Sequence, residues 1–154
     1  MEKYKVLFLC IGNSCRSQMA EGFARAYGAD VMDAQSAGLG PAVEVSPLTI
    51  RTMWEKNVDV SAAFPKGVDA VDRNGLNLIV NISRQRLPVR DVPVVEWDVR
   101  DPIGRDENVY RGVRDEIERR VMELILHMRA QLNPRPDGGG APRSRFDSRR
   151  GPFR

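Results

Sequence analysis

Val6-Leu7-Phe8-Leu9-Cys10-Ile11-Gly12-Asn13-Ser14-Cys15-Arg16-Ser17 joins an apolar run to a cysteine loop and a helix start. The short apolar run predicts a buried parallel strand over 4–9. A cysteine closes the strand, and a serine opens the helix predicted over 15–27. Successive N–H groups in such a loop make a concavity for an anion, and the helix start adds its free N–H groups and positive dipole end. Gly12 allows close approach of backbone to ligand or a positive φ, and Asn13 tolerates the left-handed region. Arg16 offers a planar fork for two oxygens. Cys10 stands in the floor as nucleophile, where the positive field favours its thiolate. The remaining reading of Cys10, a buried structural cysteine, fits the loop less well.

Outward from this loop, strands and helices alternate. A strand is predicted over 31–36, ended by Gly38 and Gly40, and Gly28 reads as the stop of the first helix. Ser46-Pro47 reads as an N-cap followed by proline in the first turn of a helix reaching about Lys56. That helix carries Leu48, Ile50, Met53 and Trp54. Residues 58–75 read as loop and a short helix, broken by Pro65 and Gly67. Strands follow over 76–82 and 94–97. The last helix spans 107–132, with Val113, Ile117, Val121, Leu124, Ile125, Met128 and Leu132 on one face. The expectation is a three-layer α/β fold, with a parallel sheet, flanking helices and the phosphate-binding loop after strand 1. Ligands of such sheets bind at the carboxyl ends of the strands, which puts the 10–16 loop and Asp101 on one edge.

The chain has 154 residues, 42% of them hydrophobic and 29% charged, which suits one domain of 1–132 with a real core. No apolar run reaches membrane-helix length, and the N-terminal run is too short for a signal peptide. The only two cysteines, Cys10 and Cys15, lie in one loop, which reads as cytoplasmic, reactive thiol chemistry. No metal-ligand cluster and no cofactor signature is present. The net charge of +3 comes from the end of the chain: residues 133–154 hold six arginines and two aspartates. With four prolines and four glycines as well, that segment reads as a solvated tail or a tether for an anionic partner such as RNA.

The trio of Cys10-Ile-Gly-Asn-Ser-Cys-Arg16-Ser17, Ser36-Ala37-Gly38 and Asp101-Pro102 resembles the low-molecular-weight protein tyrosine phosphatase family. That family shares its fold with thioredoxin-coupled arsenate reductases. The resemblance covers about residues 4–132 and implies a four-stranded parallel sheet flanked by helices. It implies Cys10 as nucleophile, Arg16 as binder of the oxyanion and Asp101 as general acid. Ile11, Gly12, Asn13, Ser14, Cys15 and Ser17 would surround the substrate. Ser17 would hold the Cys10 thiolate, and Asn13 with Ser36 would hold the loop. Cys15 reads either as a partner for a protective disulfide with Cys10 or as a small buried residue.

The first function implied is hydrolysis of a phosphorylated protein or small aryl phosphate through a phosphocysteine. The alternative is arsenate reduction with an external small-molecule thiol, and the third is phosphate or partner binding without catalysis. Three departures bear on the choice. Ile103-Gly104 and Leu39-Gly40-Pro41-Ala42 stand where the phosphatases carry aromatic walls, so Trp54 and Trp97 are expected in the core. Ala63 stands where the family has a histidine bracing the loop asparagine, and the single histidine, His127, reads as a surface or core-edge residue. Residues 81–88 lack the two relay cysteines of the thioredoxin-coupled reductases.

Overall fold

The computed structural model describes residues 2–89 and 91–134. The Arg/Pro/Gly-rich reading of the chain end falls almost wholly outside them. Four strands, β1 (Tyr4–Cys10), β2 (Met32–Gly38), β3 (Leu78–Asn81) and β4 (Val94–Glu96), form one parallel sheet in the order β2-β1-β3-β4. Three helices, α1 (Arg16–Gly28), α2 (Pro47–Trp54) and α3 (Glu107–Leu132), complete the α/β fold.

Alternation along β1 separates two cores. Val6 and Phe8 face the helices and pack with Met19, Phe23, Met53, Ile117, Val121 and Leu124. Leu7 and Leu9 face the other side with Ile79 and Ala37. That second face is covered by Val68, Val71 and Leu76, with a 3-10 turn at Val68–Ala70, and by Leu87, Val89 and Val92, and these form the third layer. Each fully buried Leu or Phe contributes about 1.5–3 kcal/mol, so the β1 run alone anchors both layers.

Several boundaries moved for identifiable reasons. β2 extends to Gly38 because Cys10 pairs with Gly38 in register. β3 stops at Asn81: Ile82 still donates to Leu9 O at 2.7 Å, but its own carbonyl turns to Arg16. Gly28 is not a left-handed stop. It belongs to α1, and Ala29 caps the helix at φ −61°. Glycine is required there because a Cβ would meet Ile125 Cγ1 at 2.6 Å, where α1 crosses α3. Gly28→Ala is expected to lower stability by about 1–3 kcal/mol in urea unfolding, and an unchanged midpoint would refute the close-packing account.

α2 departs most from its expected face. Trp54 is 62% exposed, not in the core, whereas Trp97 is buried as expected. The buried side is Thr49, Thr52 and Met53. Both threonines bury because their hydroxyls find carbonyls, Thr49 at Ser14 O (2.9 Å) and Thr52 at Leu48 O (2.7 Å). Ser46 stands at the N-cap position, but its hydroxyl is shared with Tyr110 Oη at 2.8 Å and does not cap the helix. At α3, Asp106 does cap, accepting from Val109 N at 3.0 Å.

Candidate active site

The loop after β1 is held from outside by its carbonyls. Leu39 N, Gly40 N, Ala42 N and Ser46 N donate to the carbonyls of Cys10, Ile11, Gly12 and Ser14. Across a trans peptide the next N–H points the opposite way. By that rule the amides of Ile11, Gly12, Asn13 and Cys15 point away from residues 39–46, and a cavity of about 160 Å³ opens at the loop. Cys10, Ile11, Gly12, Ser14, Cys15, Arg16, Ala42, Asp101 and Ile103 line it. α1 begins at its rim with no acidic residue in the first turn and no side-chain cap, so its positive end is left for a bound anion.

The loop conformation rests on Asn13, at φ 51°. Gly12 does not take the positive φ. A Cβ on it would make only ordinary contact with Ala42 Cβ at 3.6 Å. Asn13 is wholly buried and donates from Nδ2 to Ser17 Oγ (2.7 Å) and Ser36 Oγ (2.9 Å). Its Oδ1 accepts from Gln18 Nε2 (3.0 Å) and from Lys66 N (3.0 Å). Gln18 also donates to Phe64 O at 3.1 Å. Gln18 and a backbone amide thus make the brace for which Ala63 has no side chain. Asn13 and Ser17 lie behind the cavity and do not line it. Ser17 Oγ is 2.8 Å from Cys10 Sγ.

Arg16 is 2% exposed. Its Nη1 donates to Ile82 O (2.6 Å) and Val99 O (3.2 Å), the carbonyls that follow β3 and β4. Nε has no acceptor among the described residues, and Nη2 lies 3.5 Å from Asp101 Oδ2. One edge of the guanidinium is therefore fastened, and the other is available to an oxyanion beside a carboxylate. Ile82 O is itself fixed by a turn: Ser83 Oγ donates to Asn81 Oδ1 (2.5 Å), and Asn81 Nδ2 donates to Gln85 O (2.7 Å). Asn81 and Ser83, both buried, stand in the stretch that lacks the reductase relay cysteines.

The two cysteines differ. Cys15 Sγ lies 3.5 Å from Tyr110 Oη, and burial pushes its thiol up. Burial also pushes Tyr110 up to about 12, so this pair stays protonated at neutral pH. Both cysteines are free thiols. His127 lies on α3, half-buried, and does not line the cavity. No group of residues able to hold a metal occurs among the described residues.

The sequence reading missed Gln18, the Lys66 amide and the two carbonyls that hold Arg16. It also missed why Gly38 is glycine. A Cβ there would lie 2.6 Å from Ile11 O and 2.9 Å from Asn13 N, inside the loop backbone. Gly38→Ala is expected to cost about 1–3 kcal/mol of stability and to weaken phosphate binding, read by calorimetry. Retained phosphate affinity would show that the loop shape does not depend on this contact.

The description "Low molecular weight phosphotyrosine protein phosphatase" is that of the family matching residues 5–134. An arsenate reductase from Bacillus cereus is 37% identical over 124 residues, which cover 77% of this chain and 92% of that protein. A glutaredoxin arsenate reductase from Synechocystis sp. is 34% identical over 126 residues, covering 79% and 95%. Among solved structures, the arsenate reductase from Archaeoglobus fulgidus superposes with a TM-score of 0.71 at 36% identity, covering 78% of this chain and 98% of that one.

Proposed function

Because the chain belongs to the low molecular weight phosphotyrosine protein phosphatase family, a family of cysteine-based enzymes, we propose that it reduces arsenate with an external small-molecule thiol. The observation that carries this reading is the cavity itself. It is about 160 Å³, and its walls beyond the loop are Ala42, Asp101 and Ile103, with no aromatic side chain to stack on an aryl ester. A bare tetrahedral oxyanion needs no such wall. The arsenate reductase relatives support the same reading.

The chemistry follows from the contacts. Arsenate lies with its oxygens on the loop amides and on Arg16 Nε and Nη2. The Cys10 thiolate attacks arsenic, forming an S–As bond, and a hydroxide departs as water with a proton from Asp101. An external thiolate then attacks Cys10 Sγ. The S–As bond breaks, its electron pair stays with arsenic, and arsenite leaves. Arsenic gains two electrons, and two sulfur atoms lose one each in a mixed disulfide. A second thiol exchanges with that disulfide and restores Cys10. The thiol must be external because the chain has only one other cysteine, Cys15, which is buried and kept protonated.

A second reading, phosphomonoester hydrolysis, is favoured by the placement of Asp101 beside Arg16 at the cavity. In it, Asp101 protonates the leaving alkoxide or phenoxide, and water hydrolyses the phosphocysteine. Neither reading uses a cofactor. The deciding experiment supplies arsenate and 2-mercaptoethanol to the reduced full chain and quantifies arsenite, with p-nitrophenyl phosphate hydrolysis in parallel. Arsenite formation that rises with thiol and requires Cys10 is the expected result. Ester hydrolysis with no arsenite would replace the first reading by the second, and folded protein silent in both would leave phosphate or partner binding alone.

A further inference from the structure

Tyr110, in the first turn of α3, is buried against the loop that holds the oxyanion, and neither reading of the chemistry uses it. Its hydroxyl meets two groups, Ser46 Oγ at 2.8 Å and Cys15 Sγ at 3.5 Å. Both partners bear on one peptide, the one that joins Ser14 to Cys15. Ser46 N donates to Ser14 Oγ at 2.9 Å and to Ser14 O at 3.2 Å. Thr49 Oγ1 donates to the same carbonyl at 2.9 Å, and Ser14 Oγ donates to Glu44 O at 3.0 Å. Cys15 is the other half of that peptide, and its N–H points opposite to Ser14 O across the trans bond. Ser14 and Cys15 both line the cavity.

Two features set this contact apart from ordinary core packing. A serine at an N-cap position ordinarily turns its hydroxyl to a helix amide. Ser46 forgoes that bond, and its hydroxyl faces Tyr110 instead. The second feature is neutrality. Burial keeps the Cys15 thiol and the Tyr110 hydroxyl protonated, so a thiol proton is available to Tyr110 Oη and the tyrosine proton to Ser46 Oγ. Tyr110 thus adds no charge to the loop and acts on it by geometry. Geometry is what an oxyanion site depends on, because its donors must already point at the place where charge develops.

We propose that Tyr110 is a positioning residue for the reaction: through Ser46 and Cys15 it fixes the Ser14–Cys15 peptide and so aims the Cys15 amide at the bound oxyanion. Tyr110 does not line the cavity, and it acts through these two residues alone. The inference rests on the loop being an oxyanion cradle, and it holds for arsenate and for a phosphoester alike.

The test alkylates Cys10 of the reduced full chain with iodoacetate and with iodoacetamide, two reagents that differ chiefly in charge. Peptide masses locate the label. The loop amides and Arg16 draw in the carboxylate reagent, so the ratio of the two rates, taken relative to a free thiol, reads the aim of the cradle. A purely structural loss lowers both rates together and leaves the ratio alone. The parent is expected to prefer iodoacetate. Tyr110→Phe removes only the hydroxyl and should lower the ratio by roughly three- to tenfold and kcat/KM by roughly three- to thirtyfold. That is less than deleting an oxyanion donor, because the amide stays and only its aim relaxes. Ser46→Ala should act likewise, and the double variant should lose no more than either single one, since both lie on one chain of contacts. Tyr27→Phe is the control. Its hydroxyl donates to Glu118 at 2.8 Å, so the variant should melt roughly 2–4 °C lower and keep the ratio. An unchanged ratio in Tyr110→Phe overturns the positioning role, and losses that multiply in the double variant overturn the route through Ser46. A parent with no preference for iodoacetate overturns the cradle on which the inference rests. Absence of arsenite with that preference intact overturns the arsenate reading alone.

Discussion

Cys10→Ser is expected to remove turnover by at least about 10⁴-fold while leaving the protein folded. The hydroxyl is of similar size, and Cys10 is 3% exposed with its sulfur 2.8 Å from Ser17 Oγ, a contact a serine also makes. What serine lacks is sulfur, and with it the ability to form and release a bond to arsenic or to the sulfur of a second thiol, and a nucleophile strong enough for phosphorus. The measurement is arsenite formation and p-nitrophenyl phosphate hydrolysis, beside a thermal melt. A melt close to the parent's, with no product, is the expected result. Activity within tenfold of the parent would remove Cys10 from the mechanism in both readings. Arsenate reduction through Cys15 is not expected to replace it, because burial holds that thiol protonated.

Arg16→Lys should affect both function and stability. The parent guanidinium spans two tasks: Nη1 bonds the carbonyls of Ile82 and Val99, and Nε with Nη2 remains for the oxyanion. A lysine ammonium cannot do both from one point charge. Loss of oriented donors to the transition state is expected to cost about 10²–10⁴ in kcat/KM. Two buried carbonyls that lose their donor are expected to cost about 2–4 kcal/mol of stability. Phosphate supplies a control without chemistry. It should raise the melting temperature of the parent by mass action and leave the variant unmoved. A variant that keeps both phosphate stabilisation and turnover would show that the loop amides alone bind the oxyanion.

Much of the fold was legible because it is written in short-range pattern. The apolar run 6–9 is a buried strand since both its faces are covered, and the α3 stripe from Val113 to Leu132 matches the helix that forms. α2 was misread because apolar spacing cannot anticipate that Thr49 and Thr52 find carbonyl partners and bury, turning Trp54 outward. The Gly28 stop was misread because its reason lies 97 positions away, at Ile125.

The site divides in the same way. The order Cys10, Arg16, Ser17 determined by itself that a thiol, a cation and a helix start would meet in one loop, since residues so near in sequence have few ways to lie apart. Nothing local could say how that loop is held. The Lys66 amide on Asn13, Gly38 against Ile11 O, and the Ile82 and Val99 carbonyls on Arg16 are backbone contacts from segments 27 to 83 residues away. Backbone groups are the same in every residue, so such contacts leave no mark in the side-chain sequence. Only the folded sheet, which brings the carboxyl ends of β1, β2, β3 and β4 to one edge, decides them.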